Sequence, residues 1–173
     1  MDRESYILPG ILIVVVLIIL VLVIAYSGNN TFQMGKVSFE YPNGWSQNSP
    51  VGNFSNSSLY SEVTFTANYA DSNGVSQPAY IVIQMQQKVQ GALNYPSTNS
   101  ITTNTTNTSV SSLNVANYTA TQLANFGSNM AEKTTIIQQG NYYIVVTSIS
   151  PSYATNQTSQ AYNMILQTLK ISS

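Results

Sequence analysis

The sequence predicts an α+β protein, with one N-terminal transmembrane helix followed by a single domain in which an antiparallel β-sheet carries helices packed on it. Three observations lead there. Residues Ile7 to Ala25 form an apolar run. Several later segments alternate apolar and polar side chains with the period of two that marks a half-buried strand. Near the C-terminus Tyr162, Ile165, Leu166 and Leu169 fall at i, i+3, i+4 and i+7, one face of a helix.

The apolar run opens Ile7-Leu8-Pro9-Gly10 and continues from Ile11 to Ala25 with only Ile, Leu, Val and Ala. Its residues, roughly nineteen at about 1.5 Å each, give about 28 Å of helix, close to the roughly 30 Å of bilayer hydrocarbon. Pro9 stands in the first turn, where its missing N–H costs nothing. Arg3 and the amino terminus precede the run and Lys36 is the first positive charge after it. The positive-inside rule therefore expects the N-terminus in the cytoplasm and the remainder outside, with the bilayer a partner through residues 7–25. A cleaved secretory signal competes for residues 1–26, but it would have a shorter apolar region, a more basic start and a better cleavage sequence than Ala25-Tyr26-Ser27. With no cysteine in the chain, an anchor on a lipidated cysteine is excluded. The expected segments are an anchor at 1–26, a linker at 27–35 and an extracytoplasmic domain at 36–173.

Sequons for N-glycosylation begin at Asn29, Asn53, Asn56, Asn104, Asn107, Asn117 and Asn156. They suit an external domain, although a chain this rich in Asn, Ser and Thr forms some by composition alone. From Lys36 onward Lys36, Lys88, Lys133 and Lys170 balance Glu40, Glu62, Asp71 and Glu132. Charged residues make up 6% of the whole chain, too few for a nucleic-acid footprint. Cysteine and histidine are both absent, so disulfides, cysteine chemistry, the usual general base and the commonest transition-metal ligand are excluded.

Along the domain, Val37, Phe39 and Tyr41 alternate with Lys36, Ser38 and Glu40 as a first strand. Pro42-Asn43-Gly44 turns the chain into Trp45, read as a core or corner residue, with a ligand platform as the alternative. Gln47 to Tyr60 reads as loop. Glu62–Tyr69 and Tyr80–Lys88 read as antiparallel neighbours joined across Asp71-Ser72-Asn73-Gly74. The Asn/Thr-rich stretch at about 91–112 has almost nothing to bury and reads as a long flexible loop. Leu113 to Phe126 reads as strand, with a short helix as the alternative. Thr134–Gln139 and Tyr142–Ile149 flank Gly140-Asn141 as a β-hairpin. The closing helix, from Thr158 to Leu169, has Thr155, Asn156 or Thr158 as candidate caps.

The stretch Val37-Ser-Phe-Glu-Tyr-Pro-Asn-Gly-Trp45, the antiparallel middle, the hairpin at Gly140-Asn-Tyr-Tyr-Ile-Val and the helix running into Leu169-Lys-Ile171 together resemble the PsbP-like family, from about Val37 to Ile171. The chain looks most like the single-anchor PsbP-related proteins of methanogenic archaea. That resemblance implies an antiparallel sheet with helices on it, outside a membrane, in a non-catalytic accessory role within a membrane-associated assembly. Family members in photosynthetic membranes influence metal and chloride retention, but no matching ligand motif stands out in this sequence, so that role is not carried over.

No catalytic, cofactor-binding or metal-binding residue is expected. Glu40 and Glu62 form a conceivable carboxylate pair for glycoside chemistry, against the simpler reading of two solvated strand-face charges. Asp71, Asn73 and Gly74 form a fragment of a calcium loop without its later acidic ligand, which favours a plain turn. Glu132-Lys133 reads as a solvated turn pair. The leading expectation is a non-enzymatic, membrane-anchored accessory module whose partner is a membrane or cell-surface protein. The alternatives are an archaeal pilin-like filament subunit, whose hydrophobic helix would form a fibre core, and a module binding small ligands or glycans through a shared face of tyrosines.

Overall fold

Two antiparallel sheets and one α-helix account for the residues that the structure, a computed structural model, describes: 28–88 and 108–172. The expected span at 7–25 lies outside them, and no described helix is long and apolar enough to cross a membrane. The smaller sheet has the order β1 (Asn29–Met34), β2 (Val37–Pro42), β10 (Lys170–Ile171). The larger runs β3 (Ser46–Gln47), β4 (Tyr60–Ala70), β5 (Ser76–Gln87), β9 (Tyr142–Pro151), β8 (Met130–Gln139), β7 (Tyr118–Phe126), β6 (Thr108–Val115). A 3-10 turn at Ser152–Ala154 leads into helix α1 (Thr155–Thr168).

Period-two patterning decides which face of the large sheet is covered. Val63, Phe65 and Ala67 of β4 lie opposite Ile83, Ile81 and Ala79 of β5, and Met85 continues the row. These side chains, with Ile144 and Val146 of β9 and Ile137 of β8, are buried on one face. The small sheet and α1 close over them. Phe32 of β1 and Phe39 of β2 meet the Phe65 ring edge-on at 6.1 and 5.6 Å, and the Tyr41 ring lies 4.5 Å from it. Helix α1 adds Ala161, Tyr162, Ile165 and Leu166, then leaves through extended Leu169 straight into β10. The Glu40 amide donates to Thr168 Oγ1 at 2.9 Å, which ties the end of the helix to β2.

One polar chain crosses this apolar layer. Gln122 Nε2 donates to Thr135 Oγ1 at 3.1 Å, and the Thr135 and Tyr162 hydroxyls are 2.6 Å apart. Tyr162 in turn reaches the Val146 carbonyl at 3.4 Å. Three strands and the helix thus share one set of hydrogen bonds, which fixes how far the helix can slide along the sheet.

The strands expected at Val37–Tyr41, Glu62–Tyr69 and Tyr80–Lys88 are present, as are the 140–141 hairpin and the helix. Trp45 is buried, with its ring near that of Tyr69. Five details differ. Residues 29–34, assigned to the linker, form β1, because Phe32 and Met34 alternate and the Gly35-Lys36 connection lets them pair back on β2. Within the loop expected at 91–112, residues 108–112 belong to β6, and the remainder up to 107 lies outside the described residues. The single strand expected over Leu113–Phe126 is two strands, because Ala116 and Asn117 both take positive φ, at 51° and 68°, and reverse the chain. The helix starts at Thr155 with no side-chain cap; the Thr155 hydroxyl instead donates back to the Ser152 carbonyl at 2.8 Å. The described residues contain one α-helix rather than several.

The loop between β3 and β4 is less free than its composition suggests. Phe54 is fully buried at φ 52° and packs edge-on against Phe32 at 5.7 Å. Gly35 has φ +55°, and a Cβ there would lie 2.3 Å from the Asn53 and Phe54 carbonyl oxygens, so only glycine allows the loop to close on the β1–β2 turn.

Two outcomes follow. Ala116 holds a left-handed conformation that glycine adopts without penalty, so Ala116→Gly should raise unfolding free energy by about 0.5–1 kcal/mol in urea titrations. Burial pushes the Tyr162 phenol up to about 12, while its bonds to Thr135 and Gln122 act the other way. The neutral phenol is thus the form the fold favours. Its stabilising contribution should be complete below the unfolded value near 10 and fall away as pH rises through about 12. Tyr162→Phe should flatten that alkaline loss in urea titrations across pH 8–12, and lower stability by about 1–2 kcal/mol at neutral pH.

Candidate functional site

The most extensive surface not overlaid by any described element is the second face of the seven-stranded sheet. Its rows follow from the strand register. One row reads Glu62, Gln84, Val145, Ile136, Thr121, Ser112 and the next Thr64, Val82, Thr147, Thr134, Leu123, Val110. Val145 and Ile136, in the middle, are only 2% and 7% exposed. Threonines surround this apolar centre, and Thr134 and Thr147 hydroxyls bond across the strands at 3.1 Å. Between Gln84 and Ser112 the first row carries no charged side chain.

Toward the β4 side, side chains link into a polar cluster. The Tyr60 hydroxyl donates to the Glu62 carboxylate, and Gln84 Nε2 donates to Glu62 Oε2 at 2.8 Å and to the Tyr60 oxygen at 3.0 Å. Gln86 Nε2 reaches Gln84 Oε1 at 3.4 Å. The Glu62 carboxylate thus accepts from two neutral donors, a phenol and an amide.

The candidate residues singled out in the sequence fall apart from one another. Glu40 belongs to the small sheet and accepts from Asn29 Nδ2 at 3.0 Å, whereas Glu62 belongs to the large one, so the imagined pair across adjacent strands is not formed. Asp71 Oδ1 accepts from the Asn73 and Val75 amides at 2.8 and 2.9 Å, the geometry of an Asx turn. Glu132 and Lys133 are not a turn pair; they sit inside β8 and point to opposite faces. Lys133 Nζ donates to Ser159 Oγ at 3.0 Å and lies over the Phe126 ring. Among the described residues no group of three or more acidic side chains gathers as a metal site would require. Of the glycosylation candidates, Asn29, Asn53, Asn56, Asn117 and Asn156 are all exposed. Asn53 uses its Oδ1 to accept from the Ser55 amide and from the Ser55 and Ser58 hydroxyls. Asn104 and Asn107 lie outside the described residues.

Two features had no clear sequence signal. An open cleft of about 330 Å³ at the hairpin end is lined by Lys36, Asn56, Tyr118, Gln139 and Tyr142, brought together from four separate segments. Its two phenols are engaged: Tyr142 donates to the Asn56 carbonyl and Tyr118 accepts from Gln139. The second is a cavity of about 10 Å³ under the first turn of α1, beside Lys133, Ser148, Ser150, Thr155 and Thr158. Thr158 Oγ1 is buried there without a partner.

An orphaned buried hydroxyl is costly, and an isosteric methyl is not. Thr158→Val should therefore leave the fold intact and raise unfolding free energy by about 1 kcal/mol in urea titrations.

No family model matches the chain, and no curated protein matches it either. The solved structures similar to it over most of its length include two of low sequence identity. Cyanobacterial PsbP (CyanoP) from Synechocystis sp. PCC 6803 has 9% identity and a TM-score of 0.49, with 84% of this chain and 94% of that one covered. LpqN, involved in cell envelope biogenesis of Mycobacterium tuberculosis, has 15% identity and a TM-score of 0.48, with 84% and 91% covered.

Proposed function

We propose that this chain is a membrane-anchored, extracytoplasmic PsbP-like domain of the single-anchor type of methanogenic archaea. In this reading it serves a membrane or cell-surface assembly as a non-catalytic accessory subunit. The observation that carries the reading is the division of labour on the domain surface. The four carboxylates Glu40, Glu62, Asp71 and Glu132 are dispersed over β2, β4, the β4–β5 turn and β8, each with its own surroundings. The broadest surface not overlaid by a described element is a sheet face of Thr, Gln, Val and Tyr with no charged side chain at its centre. A dispersed set of charges suits solvation, and a flat, weakly charged face suits contact with another macromolecule. The apolar run at 7–25 supplies the anchor, and the five exposed sequon asparagines support an external setting.

Intact mass spectrometry on protein purified from native membranes in mild detergent tests this directly, with co-purifying proteins identified in the same sample. The expected result is a mass that retains residues 7–25, carries glycan increments and comes with a stoichiometric membrane protein. A mass beginning near Gly10 or Ile11 in a sedimenting fibre would overturn it in favour of a filament subunit. One beginning near Gly28 would replace the anchor with a cleaved signal and turn attention to the tyrosine-lined cleft.

A further inference from the structure

We infer that the outer edge of β6 is a self-association surface, on which a second copy of this chain adds its own β6 antiparallel and joins two seven-stranded sheets into one. This goes beyond the accessory-subunit reading and does not depend on it.

The argument begins with which backbone groups point outward. Val115 and Tyr118 flank the two-residue turn at Ala116-Asn117, and residues flanking such a turn exchange both backbone hydrogen bonds. Bonding then alternates, so Leu113 and Ser111 also face β7, whereas Val110, Ser112 and Asn114 direct both N–H and C=O away from the sheet. The same counting from the Gln139–Tyr142 pair reaches β7 with a consistent pattern. β6 lies at the end of the strand order with eight residues. Proteins guard such edges with charge, proline, bulges or shortness. Two edges are guarded by length, since β3 and β10 have two residues each. Among the described residues β6 shows none of these devices: from Thr108 to Phe126 there is no charged residue and no proline, and its register with β7 is unbroken.

The same features select a second copy as the occupant. A strand antiparallel to itself is related to its partner by a twofold axis, and closed twofold pairs are the commonest homo-oligomers. With the axis through Ser112, Ser112 pairs with itself and Val110 with Asn114 in both directions, and every outward group of these residues finds its equivalent. Nothing on the edge repels a copy of itself, because no like charges are brought together. An axis perpendicular to the sheet keeps both small sheets on one side of the joined sheet.

The chain contains no cysteine, which makes single-cysteine probes unambiguous. In the full chain in mild detergent, Ser112→Cys should give a disulfide-linked dimer on oxidation, since paired Cα atoms about 5.5 Å apart suit a disulfide. Chains carrying Val110→Cys and Asn114→Cys should cross-link to each other at least tenfold more than either does to itself. Gln33→Cys, on β1 at the other long edge, should give no disulfide-linked dimer on oxidation. Light scattering should find the unmodified chain dimeric and Ser112→Lys monomeric, with circular dichroism unchanged. A monomeric unmodified chain overturns the inference. So does equal cross-linking of Gln33→Cys, or edge cysteines that capture only a different polypeptide in native membranes, which would make β6 the seat of a heterologous strand. The oligomeric state found by light scattering does not bear on whether residues 7–25 are retained or a membrane partner co-purifies.

Discussion

The packing of aromatic rings around Phe65 is the contact on which the domain depends. A three-stranded sheet whose third strand has two residues cannot hold itself together in water, and the large sheet would otherwise present a wall of Val, Phe, Ile and Met to solvent. Phe32, Phe39 and Tyr41 bring the small sheet onto Phe65, and Phe54 closes the same cluster from the loop. Phe54 accepts a left-handed backbone to do so, which is expensive for a bulky residue and persists only because its ring is fully buried. The glycine at position 35 is required by the same closure, since the loop carbonyls occupy the space a side chain would need.

Helix α1 completes the covered face of the large sheet. Its contacts are mostly apolar, but the Gln122–Thr135–Tyr162 chain selects one register among several that greasy packing alone would permit. Hydrogen bonds of this kind contribute modestly to net stability and strongly to uniqueness, because a shifted helix leaves a buried phenol and hydroxyl unpaired. With α1 and the small sheet fixed on one side, the rows through Val145 and Val82 face away from every described element. Val145 shows that this face is not simply the polar reverse of a half-buried sheet: valine, isoleucine and leucine recur there at the centre, with threonine around them.

The parts of the fold that were legible in the sequence are those where side-chain period and turn chemistry agree. Val37–Tyr41, Glu62–Tyr69 and the Tyr142–Ile149 hairpin each combine alternation with a Gly- or Asn-containing turn, and α1 has an uninterrupted apolar stripe. Elements that carry only one of these signals escaped. β1 has a single large apolar residue besides Met34, so Phe32 alone cannot mark a strand. β6 and β7 meet at Ala116-Asn117, where alanine occupies a position that usually carries glycine or asparagine, and Val110 faces the opposite side from Leu113 and Val115. The 330 Å³ cleft joins residues far apart in the chain, and no local pattern encodes such a meeting. The open sheet face was hidden for a different reason: threonine and glutamine on a strand look the same whether they meet water or a partner.

Scarcity of charge shapes how such a surface works. A formal net charge of −1, with acidic and basic groups scattered singly, creates little long-range potential to steer an encounter. Recognition then depends on short-range shape and hydrogen-bond matching, which are specific once contact is made but do little to bring partners together. An N-terminal anchor would remedy that deficit in the reading proposed above, because confinement to one membrane raises the local concentration of tethered partners without any new contact. In the reading proposed above, a sheet face uncharged at its centre, an uncharged β6 edge and an apolar N-terminal run fit together: contact at close quarters makes steering by charge unnecessary, and an uncharged edge favours pairing over repulsion.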